Sequence, residues 1–328
     1  MSTSGGTRAV VAALLANTGI AVTKFAAWAL TQSASMLAEA IHSVADAGNQ
    51  ALLLVGGKRA KRDATEEHPF GYGRERYIYA FIVAIVLFSV GGLFALYEAY
   101  HKFHELAEGH GEGGLLESRW KYVPLVVLGL AIVMESFSFR TAIIESNKVR
   151  GDKSWWAFIR RAKAPELPVI LLEDLAALLG LVVAFAGVGL ALLTHNLYFD
   201  VAGSAVIGAL LVTVAVVLGI EVKSLLLGEA ATPESVSAIR GALDSTDGVE
   251  SIIHLKTMHV APEELIVAAK IAVAPGLSAQ QVATTIDAAE RALRAAEPMA
   301  TQIFLEPDIY RDDHVPDPRP EVPEAPGH

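Results

Sequence analysis

Apolar residues fall into six long runs, about 9–30, 34–57, 77–100, 121–145, 167–194 and 198–222, separated by short polar stretches. An apolar run of about 18 or more residues is long enough to cross the roughly 30 Å hydrocarbon core of a bilayer as a helix. The pattern therefore predicts six transmembrane helices. The first run holds Asn17 and Lys24, lacks a small-residue cleavage motif and leads straight into the second. It reads as a span and not as a cleaved signal peptide.

After residue 228 the pattern changes to short elements. Ala231–Asp244 reads as a helix, with Thr232 as its N-cap and Pro233 at the first helical position. Val249–Met258 and Leu265–Val273 read as strands joined by a Pro-Glu-Glu turn at 262–264. Ser278–Ala296 is an amphipathic helix with Val282, Ile286, Ala289 and Leu293 at helical spacing, and Gln302–Leu305 is a closing strand. The order α-β-β-α-β fits a small ferredoxin-like sheet with helices on one face. From Pro307 onward, six prolines and many charges leave little to bury, so disorder is expected there. The fold class is thus an α-helical membrane protein with a C-terminal α+β domain. Its expected parts are residues 1–228 in the membrane, 229–306 as the ferredoxin-like domain, and 307–328 as an acidic, proline-rich tail.

Charge orients this arrangement. Residues 1–228 carry 19 basic and 19 acidic side chains, whereas the whole net charge of −10 comes from the remainder. The 58–76 and 146–166 connections hold twelve Lys and Arg residues together, against three in the 101–121 connection. Basic loops stay cytoplasmic, which places both termini and the acidic domain in the cytosol. No basic stripe exists to neutralise phosphates, so nucleic acid is not an expected partner. With no cysteine there is no disulfide, thiolate metal site or Cys nucleophile. No nucleophile-base pair or phosphate-cradling loop accompanies the spans, so no catalytic residue and no cofactor is assigned.

Ionisable groups in hydrocarbon are costly and need a reason. The second run holds Glu39, His42, Asp46 and Asn49, whose spacings of three, four and three put them on one helical face. A His and an Asp at i, i+4 can share one divalent cation through nitrogen and oxygen. The fifth run holds adjacent Glu173 and Asp174, which point about 100° apart on a helix. The fourth holds Glu135. Lys24, six residues from a helix end, is expected to snorkel toward the interface. A purely structural ion-pair cluster is the alternative, but one His and several carboxylates leave excess negative charge that a divalent ion or protons would neutralise.

These features together resemble the cation diffusion facilitator family. The carrying segments are SMLAEAIHSVADAGNQALLLVGG (35–57), HPFGYGRERY (68–77), LLEDLAALLG (171–180) and YFDVAGSAVIGALL (198–211). The wording of 35–77 is most similar to the zinc transporter nine branch. The resemblance implies export of a divalent metal from the cytosol in exchange for protons, by a homodimer working through alternating access. It also implies a transport site of two residues from the second span and two from the fifth. His42 and Asp46 match the first pair, and Asp174 matches the second residue of the other. The first residue of that other pair is replaced by Ile170, which cannot bind a cation. Glu173 is the foremost substitute, with Glu39, Asn49 and Glu135 as further ones. Zn²⁺ is the expected ion, and a donor set with one nitrogen and mostly oxygen also suits Mn²⁺, Fe²⁺ or Co²⁺.

Family members often carry additional metal sites. In the loop after the second span Asp63 and His68 could contribute, although Tyr72 stands where a second His is common. In the cytosolic domain the candidates are His254, His259, Glu306 and Asp308. The stretch HKFHELAEGHGEGG (101–114), with His101, His104 and His110 among acidic residues, reads either as weak metal capture on the exit side or as a polar, flexible loop, and the loop is the favoured expectation. Two rival readings stay open: a non-transporting metal-sensing scaffold, and a proton-coupled exporter of a small organic cation. Short loops and the absence of a targeting segment suggest a prokaryotic inner membrane.

Overall fold

The computed structural model describes residues 3–31, 34–108 and 121–311. Of the tail expected to be disordered from Pro307 onward, Pro307 and Asp308 instead belong to the last strand, paired with Ile271 and Ala272, and the part after residue 311 lies outside the described residues. The chain divides into two compact units, Met1–Leu226 and Leu227–His328.

The first unit is helical. Its long helices are α1 (Thr3–Thr31), α2 (Ala34–Arg59), α3 (Glu75–Ala107), α4 (Val123–Arg150), α6 (Glu166–Thr194) and α7 (Tyr198–Leu227), with a short α5 (Trp155–Arg161) before α6. Five of the six are long and apolar enough to cross a membrane. The exception is α2, where His42, Ser43, Asp46, Asn49 and Gln50 interrupt the apolar average.

Several boundaries differ from the sequence reading for local reasons. The helix α3 runs seven residues beyond the expected 77–100, so His101 and His104 sit on a helix and not in a flexible loop. Side-chain contacts at i, i+4, His101–Glu105 and His104–Glu108, each at 3.2 Å, favour that extension. The middle of α3, Leu87–Leu93, is a π-helix. The 146–166 connection is mostly ordered, because α4 continues to Arg150 and the Ser154 side chain caps α5 by accepting from Ala157 N. At the opposite end, α6 closes on His195 in the left-handed region and the Asn196 side chain accepts from Tyr198 N to start α7.

The inside of this unit is apolar over part of its length and polar elsewhere. Val10, Leu53, Val83, Leu87, Val169, Ile170, Leu218 and Val222 share one buried core. Large apolar side chains such as Leu15, Phe137 and Leu193 face outward, as a lipid-facing surface requires. Close helix contacts use glycine. A Cβ on Gly92 in α3 would meet the Val212 backbone nitrogen at 2.9 Å, and one on Gly208 in α7 would meet that of Leu96 at 2.9 Å. Small residues at such crossings let the two helices approach.

The second unit follows the expected order. Helix α8 (Pro233–Asp244) is capped by Thr232, whose side chain accepts from Ser235 N. Strands β1 (Val249–Ala261) and β2 (Glu264–Val273) pair antiparallel around the Pro262–Glu263 turn. Helix α9 (Ala279–Ala296) opens with a capping box between Ser278 and Gln281, and β3 (Ala300–Asp308) returns parallel to β2. Leu265, Val267, Ala269 and Ile271 alternate along β2 toward Ile239 and Leu243 of α8 and Ala289 and Leu293 of α9. Both β1 and β3 extend past the expected ends. Ladder pairing carries β1 on to Ala261 opposite Glu264, and β3 to Asp308 opposite Ala272.

Candidate transport site

The second span brings its polar face inward. His42 Nε2 lies 3.7 Å from Asp46 Oδ2, and the two side chains are 29% and 15% exposed. Two ligands of one tetrahedral ion, each at roughly 2.0–2.1 Å, stand about 3.4 Å apart. The pair is therefore near the separation that joint coordination needs. Both residues line a cavity of ≈ 60 Å³ together with Asn17 and Lys24 of α1 and Glu135 of α4. Small residues of α6, Ala176, Ala177 and Gly180, form the opposite wall and leave the space open. The π segment of α3 contributes Gly91, where a Cβ would lie 3.5 Å from His42 Cε1.

Glu173 and Asp174 are both buried, and they engage different helices. Asn49 Nδ2 donates to Glu173 Oε1 at 2.8 Å, and Gln50 Nε2 donates to Oε2 at 2.9 Å. Asn17 Nδ2 donates in turn to Gln50 Oε1 at 3.3 Å. Glu173 is thus clamped through both oxygens by the amides of α2. Asp174 turns toward α4, where Ser138 Oγ donates to its Oδ2 at 2.8 Å. Its Oδ1 is buried without a hydrogen-bond partner, as is Glu135 Oε1. Carboxylate oxygens left bare in an apolar interior are costly, so both atoms call for a cation or a proton. Asp46, Glu135, Glu173 and Asp174 lie within electrostatic reach of one another. Among the described residues, no three His, Asp or Glu side chains are gathered around one point as a ready metal site.

The remaining candidates are distributed as follows. The Glu39 side chain and His110 lie outside the described residues. Asn49 is engaged with Glu173. Ile170 is fully buried in the apolar core, so its place in the site is taken by packing and not by another donor. Asp63 and His68 are exposed; the His68 ring stacks on Tyr72 at 4.7 Å, and the Arg62 guanidinium lies 4.4 Å from the centre of the same Tyr72 ring. In the second unit Glu306 and Asp308 both bind Lys270, at 2.9 and 3.2 Å, and these hydrogen bonds raise the pKa of that ammonium. His259 is buried with Nδ1 3.4 Å from Ala261 O, whereas His254 is half-buried five residues away along β1.

Gln50, Ser138 and the Arg76–Glu166 pair were missed from the sequence, and the place of Lys24 was misjudged. Gln50 and Ser138 are polar residues inside spans, and the rule that singled out Asn49 applies to both. Lys24 is 3% exposed and lines the cavity, which corrects the snorkelling expectation. The anionic interior gives its ammonium a reason to stay inside. At the end of the third and fifth spans Arg76 forms a two-pronged ion pair with Glu166, its Nη2 2.9 Å from Oε2.

The chain matches two family models in sequence, the cation efflux transmembrane domain over residues 10–227 and the cation efflux protein cytoplasmic domain over residues 231–308. It is 34% identical over 241 residues to the "Proton-coupled zinc antiporter SLC30A9, mitochondrial" of Xenopus laevis, covering 71% of this chain and 40% of that protein. The human protein of that name is 32% identical over the same length. "Metal tolerance protein C4" of Arabidopsis thaliana is 29% identical over 264 residues, 78% of this chain and 54% of that one. The chain therefore aligns with about two-fifths of the length of its zinc-antiporter relatives. With six long helices followed by an α-β-β-α-β domain, and both models matched in that order, this multi-pass membrane protein belongs to the cation efflux family.

Proposed function

We propose that the protein exports a divalent cation, Zn²⁺ foremost, from the cytosol in exchange for protons. His42, Asp46 and Asp174 bind the ion. The observation that carries this reading is the His42–Asp46 pair, set near coordinating distance on a cavity beneath lipid-facing helices. The bare Oδ1 of Asp174 supports it as a third donor from the facing span. The names of the aligned relatives, proton-coupled zinc antiporters and a metal tolerance protein, agree with it.

The mechanism follows from shared ligands. A metal ion needs neutral imidazole and ionised carboxylates, so it and protons compete for the same atoms. The ion enters from the cytosolic side. Rocking of the helices exposes the site to the other side, where protons evict the ion and the protonated site returns. Closure in the metal-bound state brings Asp174 toward the His42–Asp46 pair. The cytoplasmic domain match supports a homodimer held partly by the second unit. A domain of about 75 residues is marginal alone, and a partner copy would stabilise it.

Flux into proteoliposomes with an enclosed metal-sensitive dye tests the reading. Asp46→Ala and Asp174→Ala should each reduce proton-driven Zn²⁺ flux to the empty-vesicle background while leaving the dimer peak in size-exclusion chromatography unchanged. Retained flux in either variant removes the site assignment, and absence of flux in the parent protein leaves the sensing scaffold as the reading. Competition among Zn²⁺, Mn²⁺, Fe²⁺ and Co²⁺ decides the ion, since the oxygen-rich donor set admits all four. Basic loops facing the cytosol in a prokaryotic inner membrane complete the proposal. Reporter fusions at the 58–76 and 146–166 connections check the orientation, and fractionation checks the membrane, which for the zinc-antiporter relatives is named as mitochondrial.

A further inference from the structure

Lys24 stands out among the groups around the cavity. It is a lysine on α1, 3% exposed, lining the same ≈ 60 Å³ space as His42, Asp46 and the Glu135 carboxylate of α4. Glu135 is itself 1% exposed, and its Oε1 has no hydrogen-bond partner. A lysine that served only to hold two helices together would be expected beside a carboxylate outside the ion's path. This one lines the cavity that holds the proposed ligands His42 and Asp46.

We propose that the Lys24 ammonium is a tethered occupant of the transport cavity, which neutralises Glu135 and Asp46 when no metal is bound and which the divalent ion must displace. This rests on the proposed metal site, and deepens it by naming what competes there besides protons. Two physical consequences follow. When the metal-free site switches sides, the Lys24 ammonium adds to the bound protons in neutralising its carboxylates. The ion also binds more weakly than its ligands alone would allow, because the ammonium claims the same oxygen lone pairs. Weaker binding favours release on the far side. The long, flexible lysine stem lets the ammonium shift away from the ligands when the ion arrives.

The test uses the purified full chain in detergent, with Zn²⁺ alone as the probe. Lys24→Met should tighten Zn²⁺ binding in calorimetry by about tenfold or more, the scale of one removed charge contact, while lowering the melting temperature of the metal-free protein. Adding Zn²⁺ should then raise the melting temperature more than it does in the parent. In a Glu135→Gln background the Lys24→Met change should no longer tighten binding, and the double variant should regain metal-free stability, since removing both charges of a buried pair is often neutral. Lys24→Arg, which keeps the cation, should hold the metal-free melting temperature near that of the parent. If Lys24→Met folds poorly, the double variant and Lys24→Gln carry the same comparison.

Unchanged or weaker Zn²⁺ affinity in Lys24→Met overturns the proposal, as does an equal loss of melting temperature with and without Zn²⁺, the signature of a merely structural contact. Failure of the site assignment is read separately, as retained flux in Asp46→Ala or Asp174→Ala. The metal-free coupling between Lys24 and Glu135 does not depend on that result.

Discussion

The two units of this chain bury opposite kinds of residue. In the helical unit the charged side chains Lys24, Glu135, Glu145, Glu166, Glu173 and Asp174 are inside, while Leu15, Val22 and Leu193 face out. In the sheet unit the inside is Ile239, Leu265, Ile271 and Leu293, and Glu297 is the one buried carboxylate among the described residues there. The second unit is an ordinary hydrophobic core. The first places its apolar surface toward lipid and spends part of its interior on polar groups that hydrocarbon does not favour. Polar burial in water-facing domains is usually satisfied and structural. Asn49 Oδ1 and Ser146 Oγ in the helical unit also lack a hydrogen bond, but the bare carboxylate oxygens Asp174 Oδ1 and Glu135 Oε1 are the ones that point to a cation or a proton.

The contrast can be broken most severely from the sheet side. Leu293 is fully buried between α9 and β2, so Leu293→Ala should cost about 2–5 kcal/mol through lost transfer energy and the cavity left behind. All four tryptophans, Trp28, Trp120, Trp155 and Trp156, precede the second unit, so their fluorescence reports on the helical unit alone. In thermal melts the far-UV circular dichroism of Leu293→Ala should show the sheet unit unfolding at lower temperature while the tryptophan transition stays in place. A tryptophan transition that moves in step would mean that the two units unfold as one.

A smaller and differently caused loss should come from the helical side. Gln50→Ala removes the donor to Glu173 Oε2 and the acceptor for Asn17, and it leaves Asn49 as the remaining side-chain donor to that carboxylate. Stranding buried polar atoms costs about 1–3 kcal/mol. Here the tryptophan transition should fall while the sheet unit is untouched. An unchanged transition would show that water fills the gap and that the amide clamp contributes only orientation.

The same contrast explains which parts of the molecule were legible in the sequence. Spans show as length of apolar run, and caps such as Thr232 and Ser278 show because they act within one turn of chain. The His42–Asp46 pair shows for that reason too, being i, i+4 on one helix. What sequence spacing does not reveal is contact between spans. Glu173 meets Asn49 across 124 residues and Asp174 meets Ser138 across 36, so which oxygens remain bare depends on helix packing alone. The depth of Lys24 was misjudged because its distance from the helix end favours snorkelling, whereas the carboxylates that hold it inside come from other helices. The π segment at Leu87–Leu93 has no local signature comparable to a cap; its Gly91 and Gly92 show only that close approach is possible there.

The smallest expected effect sharpens the comparison at a single carboxylate of the sheet unit. Glu264 begins β2 beside the Pro262–Glu263 turn, and partial burial, followed by the neighbouring Glu263 charge, raises its pKa. The folded state then holds the Glu264 proton more tightly than the unfolded chain does. Its contribution to stability is full below the unfolded carboxylate value of about 4.3 and is lost as pH rises through the raised folded value. Glu264→Gln cannot ionise, so it should be more stable than the parent near pH 7, by less than about 0.5 kcal/mol because the group is largely solvated. That advantage should vanish as the pH falls to about 4. Denaturant melts of the two proteins at the two pH values measure it. An advantage that grows on acidification would reverse the sign and show that the ionised Glu264 is favoured by a partner in the folded state.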